Sequence, residues 1–208
     1  MILAFDCSGP WCAVCVLSDG AVRAAREEAM AKGQAERLFP LIEEVLAEAG
    51  AGYPDLSAVA CGIGPGSFTG LRVAVSAARA LALARGIPAV GVTAFEALHE
   101  GHEGPALCAV GAPRGGAFVQ EMPGGTPRLV AADEAFSPPE VGVLIARPGE
   151  AEHLSGPRVL PALPVAEAVA RAAARRLATG KPGPRPAPLY LRAADAAPPR
   201  HAAPRIVP

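Results

Sequence analysis

The residues best placed to do chemistry lie in one run, Gly62-Ile63-Gly64-Pro65-Gly66-Ser67-Phe68-Thr69-Gly70-Leu71-Arg72. An apolar stretch, Ala58 to Cys61, leads into it and a helical pattern follows at once. A strand, a glycine loop and a helix N-terminus together aim backbone N–H groups at an anion. Gly64, Gly66, Ser67 and Thr69 are therefore candidates for a nucleotide loop, either working or vestigial. The run is not a Walker loop, because its helix opens Thr69-Gly70-Leu71-Arg72 without the Gly-Lys-Ser/Thr that cradles phosphate. Nor is it a nucleophile elbow, because Pro65 stands where Gly-x-Ser-x-Gly needs glycine. Asp6 and Ser8 form the second candidate group. An acid ending a buried strand, with a hydroxyl in the next turn, can hold a hydrated metal or meet phosphate oxygens. The same pair can equally cap its own turn with no ligand, a commoner use of Asp and Ser.

Other reactive side chains point to less. Cys12-x-x-Cys15 has no second pair at zinc spacing. On a strand, positions three apart face opposite ways, so buried small hydrophobes are the simpler reading of these thiols. His99, His102, His153 and His201 lack a third partner at any ligand spacing, and solvated histidine is expected. Among the arginines, Arg171 follows Glu167 by four, as on an ordinary solvated helix face, with Arg175 and Arg176 beyond it. Arg185, Arg192, Arg200 and Arg205 follow towards the end, with no aromatic interleaving for base stacking.

The elements that must position these groups read clearly in the first half. Strands are predicted at 2–6, 12–17 and 21–27, with Ser8-Gly9-Pro10 and Asp19-Gly20 as turns. Leu38, Leu41, Ile42, Val45, Leu46 and Ala49 repeat at helical spacing and predict a helix over 34–49. Strand 56–61, helix 70–85, strand 89–92 and a helix opened by the capping box Thr93-Ala94-Phe95-Glu96 complete a βββαβαβα order. Beyond residue 100 come short strands at 106–110, 117–122, 128–131 and 141–146, a helix at 165–178 and a last strand at 188–192. The expected organisation is an N-terminal lobe 1–100, a smaller lobe 101–192 and a mobile, proline-rich tail 193–208. Helices between later strands imply an α/β layer fold.

Composition narrows the function classes. The 208 residues, 51% hydrophobic, can bury a sizeable core, and 4% aromatics require it to be built from small and aliphatic side chains. A net charge of −1 argues against a basic nucleic-acid footprint. Asp6 comes too early for a secretory h-region, and no apolar run reaches the roughly 18 residues of a membrane span. With an odd count of five cysteines, reduced thiols and a cytoplasmic location are expected.

The glycine run, together with Ile2-Leu3-Ala4-Phe5-Asp6-Cys7-Ser8, Cys12-Ala13-Val14, Gln34 through Ile42, Gly91-Val92-Thr93 and Pro188-Leu189-Tyr190-Leu191-Arg192, resembles the bacterial TsaB (YeaZ) family. The likeness covers residues 1–100 well and the second half loosely. It implies an actin-like, sugar-kinase-type (ASKHA) fold: two related lobes with mixed sheets flanked by helices. It implies a non-catalytic subunit in making N6-threonylcarbamoyladenosine in tRNA. Such a subunit pairs with its paralogue TsaD, helps recruit the ATPase TsaE, forms homodimers, and meets tRNA only through the complex. The complex uses ATP; no cofactor or metal would be required by this chain, and nothing supports the older peptidase label.

Where TsaD-type catalysts carry a His-x-x-x-His pair, this chain reads Gln34-Ala35-Glu36-Arg37-Leu38. The turn Val110-Gly111-Ala112-Pro113-Arg114 lacks the acid expected to mirror Asp6 across an interlobe cleft. What remains is surface, and Leu38, Leu41, Leu71, Val75 and Ala78 are the candidates for an intersubunit helical seam. The alternative class is an ATP-binding phosphotransferase or ATPase using Asp6, Ser8 and the 64–70 loop. A buried second-lobe carboxylate facing Asp6 would favour it.

Overall fold

In the computed structural model, residues 1–136 and 142–191 are described. Strand β1 (Ile2–Asp6) lies at the centre of a five-stranded sheet. It pairs antiparallel with β2 (Trp11–Ser18), which pairs antiparallel with β3 (Ala21–Ala29). On its other side it pairs parallel with β4 (Ala58–Gly64), and β4 with β5 (Ala89–Thr93). Side chains alternate along these strands. Leu3 and Phe5 enter one core layer with Val14 and Val16, and Ala4 enters the other with Ala13 and Leu17. Cys12 and Cys15 fall in different layers, as the strand geometry requires.

Helices α1 (Gln34–Glu48) and α2 (Phe68–Arg85) cover the first layer. Here the structure corrects the expected seam. Leu38, Leu41 and Ala78 are fully buried, and Leu71 and Val75 are 1% and 2% exposed, all within this single chain. An amphipathic stripe shows which face of a helix is apolar but not what covers it. In this protein the chain's own sheet covers it. The exposed large apolar residues of the two helices are instead Phe39, Phe68 and Leu83.

The second sheet repeats the topology of the first. Its central strand β6 (Ala106–Gly111) pairs antiparallel with β7 (Ala117–Met122), which pairs with β8 (Arg128–Val130). On the other side β6 pairs parallel with β9 (Leu144–Ile145), and β9 with β10 (Arg158–Val159). The orders β3-β2-β1-β4-β5 and β8-β7-β6-β9-β10 are equivalent, so the two lobes are related although no repeat is visible in the sequence.

Two boundaries differ from expectation. Helix α4 (Val165–Ala178) does not belong to the second lobe: Ala166, Val169, Ala170 and Ala173 close the free face of the first sheet against Ala4, Ala13 and Ala60. Alanine on both sides lets helix and sheet backbones approach closely. Helix α3 (Ala94–His99) has the capping box foreseen: Glu96 N–H donates to Thr93 Oγ1 at 3.1 Å, and Thr93 N–H to Glu96 Oε2 at 2.8 Å. The other Glu96 oxygen accepts from Arg176 of α4, and Glu100 pairs with Arg175. These ion pairs hold α4 to α3 and its C-terminal end; the Arg175 side chain stays largely in solvent, as expected, while that of Arg176 is partly buried. The other correction concerns the segment 188–191, which is not a strand. It packs Leu189 and Leu191 against Phe95 and Phe118 and donates Leu189 N–H to Ile63 O at 2.7 Å. Arg192 and the proline-rich tail 193–208 lie outside the described residues.

Candidate functional site

The β1–β2 turn and the glycine loop form one unit. Asp6 is 2% exposed, and its Oδ1 accepts from Ser8 N–H (2.8 Å), Ser8 Oγ (2.8 Å) and Trp11 Nε1 (2.7 Å). The Ser8 hydroxyl also lies 3.1 Å from Oδ2. Three donors on one oxygen are near the most a carboxylate oxygen can hold. The turn-capping arrangement is therefore the one observed.

The loop is clasped to this turn by its glycines. A Cβ on Gly62 would stand 1.7 Å from Asp6 Oδ2, and one on Gly70 1.8 Å from the Cys7 carbonyl oxygen. Ser67 N–H donates to Ser8 O at 2.6 Å, while its side chain caps α2 by accepting from Gly70 N–H at 3.3 Å. Gly66 lies against the Ser8 carbonyl, and Gly64, at φ +93°, lies behind the loop against Leu71.

Between the lobes lies a cavity of about 880 Å³, reached by Asp6, Ser8, Gly66 and Ser67 from the candidate set. Gly64 and Thr69 are not among its lining; Thr69 sits exposed in the first turn of α2. The remaining wall is mostly apolar, with Val92, Leu98, Val110, Phe118 and Val169 prominent. At its mouth Phe68 and Tyr190 stack with ring centres 5.4 Å apart, Arg72 lies 3.9 Å over the Phe68 ring, and Arg72 Nε donates to Tyr190 Oη.

Sequence reasoning missed three lining residues. Trp11, the only tryptophan, lies on the Asp6 carboxylate, and the Arg147 guanidinium crosses from the second lobe to within 4.5 Å of its ring. Glu150 lines the same cavity from the second lobe. Burial raises its pKa, against the opposing pull of the Gly111 amide and Arg147. A second-lobe acid is thus present in the cleft, although not at the 110–114 turn where the resemblance places it. Neither Arg147 nor Glu150 lies in a periodic segment, so only the tertiary fold could reveal them. Among the described residues no cluster of three or more His, Cys, Asp or Glu is placed to hold a metal ion. Gln34 lines the cavity and donates to Met30 O. The Arg37 guanidinium pairs with Glu28 and Glu44 and holds both carboxyls below their usual range.

Two lobes of equivalent mixed topology, joined over a cavity roofed by a glycine loop, define the actin-like, sugar-kinase-type class. The family model of TsaD, tRNA N6-adenosine threonylcarbamoyltransferase, matches residues 27–140. The chain is similar to the tRNA threonylcarbamoyladenosine biosynthesis protein TsaB of Escherichia coli, with 35% identity over 100 residues, 48% of this chain and 43% of that protein. It thus spans under half the length of that relative. An uncharacterised protein of Mycobacterium tuberculosis is 33% identical over 95% of this chain and 94% of its own length. The solved structure of YeaZ from Pseudomonas aeruginosa superposes with a TM-score of 0.72 at 23% identity, covering 91% of this chain and 99% of that one. The chain belongs to the TsaB/YeaZ family. No helix among the described residues is long and apolar enough to cross a membrane.

Proposed function

We propose that this chain is a non-catalytic supporting subunit in the synthesis of N6-threonylcarbamoyladenosine in tRNA, acting in the cytoplasm by pairing with a TsaD-type transferase. The observation that carries the reading is the state of Asp6. Its carboxylate is committed to Ser8 and Trp11, and the glycine loop beside it is spent on packing. The helix that would present a metal-binding histidine pair offers Gln34 and Leu38 instead. In this reading the chain needs no cofactor of its own, ATP is used by the complex, TsaE joins the pair, and tRNA is met through the transferase. The chain can also associate with itself.

The test mixes this chain with its cognate TsaD, measures association by light scattering after size exclusion, and assays tRNA modification with and without it. A heterocomplex on which modification depends is the expected result. The alternative, an ATP-binding phosphotransferase or ATPase, is favoured by Glu150, an acid facing the same cavity as Asp6. ATP binding or turnover by the isolated chain, lost in Glu150→Gln, together with no complex, would replace the first reading by the second.

A further inference from the structure

The β1–β2 register runs Ile2↔Leu17 through Asp6↔Ala13, so one further step sets Cys7 opposite Cys12. The two sulfurs are 3.9 Å apart, and both side chains are fully buried. Directly opposed antiparallel residues have Cα atoms about 4.5–5.5 Å apart, within the roughly 4.4–6.8 Å that a disulfide spans. Only a modest rotation of the two side chains is then needed to bring sulfur to bonding distance. Of the other cysteines, Cys15 lies in the opposite core layer and Cys108 in the second lobe. Cys61, on the neighbouring strand, is the one competing thiol, and it acts electrostatically on Cys7.

We propose that Cys7 and Cys12 are a peroxide-oxidisable dithiol that closes to an intrachain disulfide across the β1–β2 turn. The two thiols share a hydrogen bond in which either sulfur can be the donor. Arg37 favours the thiolate on Cys12, against burial and the carboxylates of Glu28 and Asp6. Cys12 sulfur attacks one oxygen of hydrogen peroxide to form the S–O bond of a sulfenic acid, the O–O bond breaks, and the departing hydroxide takes the proton given up by the Cys12 thiol to become water. Cys7 sulfur then attacks the Cys12 sulfenic acid, forming the S–S bond, and the expelled hydroxide leaves as a second water with the Cys7 proton. Two thiols are oxidised and one peroxide is reduced. Because both sulfurs are buried, opening of the turn sets the rate. The closed form pins the segment that holds Ser8 and Trp11 on Asp6.

The test exposes the reduced, folded chain to hydrogen peroxide, then quenches by alkylation under denaturing conditions. The expected product has lost two hydrogens and leaves three of the five cysteines to be alkylated, with the bridge between Cys7 and Cys12 inside the tryptic peptide Met1–Arg23. Cys15→Ala retains the closure; Cys7→Ala and Cys12→Ala lose it. If either of those variants fails to fold, fragmentation of the wild-type peptide decides alone. A bridge to Cys61, a bridge to Cys15, links between chains, or five unmodified thiols after exposure that oxidises a free cysteine completely would each overturn the proposal.

Discussion

Val75→Glu separates a core residue from an interface residue. Val75 is 2% exposed, on the face of α2 turned to the sheet. Removing its side chain from the core costs about 2 kcal/mol. The carboxyl that replaces it must stay neutral at pH 7 to remain buried. With an ordinary value near about 4.3 and about 1.4 kcal/mol per pKa unit, this adds about 4 kcal/mol. The sum, about 6 kcal/mol, is comparable to the whole stability of a domain, about 5–15 kcal/mol. Urea denaturation followed by circular dichroism at pH 7 should show a variant that is unfolded or barely folded. The pH dependence supplies an internal check. The buried carboxyl has a folded-state pKa above its unfolded value, so its penalty grows as pH rises and fades as pH falls to the unfolded value. Much of the lost stability should return near pH 4. Leu83→Glu is the control: Leu83 is 79% exposed, so its stability should change by about 0.5 kcal/mol or less. A Val75→Glu variant as stable as the wild type, yet unable to pair, would refute the reasoning and restore Val75 to the interface.

Three further perturbations probe the site. Gly62→Ala forces a methyl onto Asp6 Oδ2, so it should destabilise by about 1–3 kcal/mol and shift the fluorescence of Trp11, which reports on the carboxylate it touches. Glu150→Gln should change the pH dependence in one direction. Glu150 is raised from 4.5 in the folded state, so its contribution is present below that value and is lost as pH rises through the folded value. The variant should therefore gain on the wild type at neutral pH, with the gain vanishing near pH 4 in a series of thermal melts. Glu96→Ala removes both the α3 cap and the tie to α4, costing about 1–2 kcal/mol in urea denaturation, and adding Arg176→Ala should then cost only what its remaining bond to Gly91 O contributes.

The local elements were legible because their signals are local. Helix 165–178 has the bounds its Ala/Arg-rich composition and the following Gly180 imply, and the Thr93–Glu96 capping box was readable from side-chain chemistry four residues long. What covers each apolar face was not. The alanines of α4 show a helix that must bury one side, yet nothing in them says that the first sheet, rather than the second, lies beneath. The same gap misplaced Leu38, Leu41, Leu71, Val75 and Ala78 at a partner surface. Cys7 and Cys12 are five apart in a turn whose closure depends on the register, so Cys12-x-x-Cys15 drew attention while the opposed pair did not. Arg147 and Glu150 follow a two-residue strand and carry no period at all.

The glycine run shows how a loop with the composition of a ligand cradle can persist on packing grounds. Its glycines are required whether or not an anion binds, because Asp6 Oδ2, the Ser8 carbonyl and the Cys7 carbonyl occupy the volume a Cβ would take at Gly62, Gly66 and Gly70. Its hydroxyl at Ser67 caps α2, and its amide at Ser67 secures the first turn. Apart from that cap, these contacts join the loop to Asp6, Cys7 and Ser8, the end of β1 and the turn after it. Glycine composition therefore reports the closeness of two backbones here. The bonding state of the carboxylate beside them, with three donors already on one oxygen, is the better guide to whether the cleft performs chemistry.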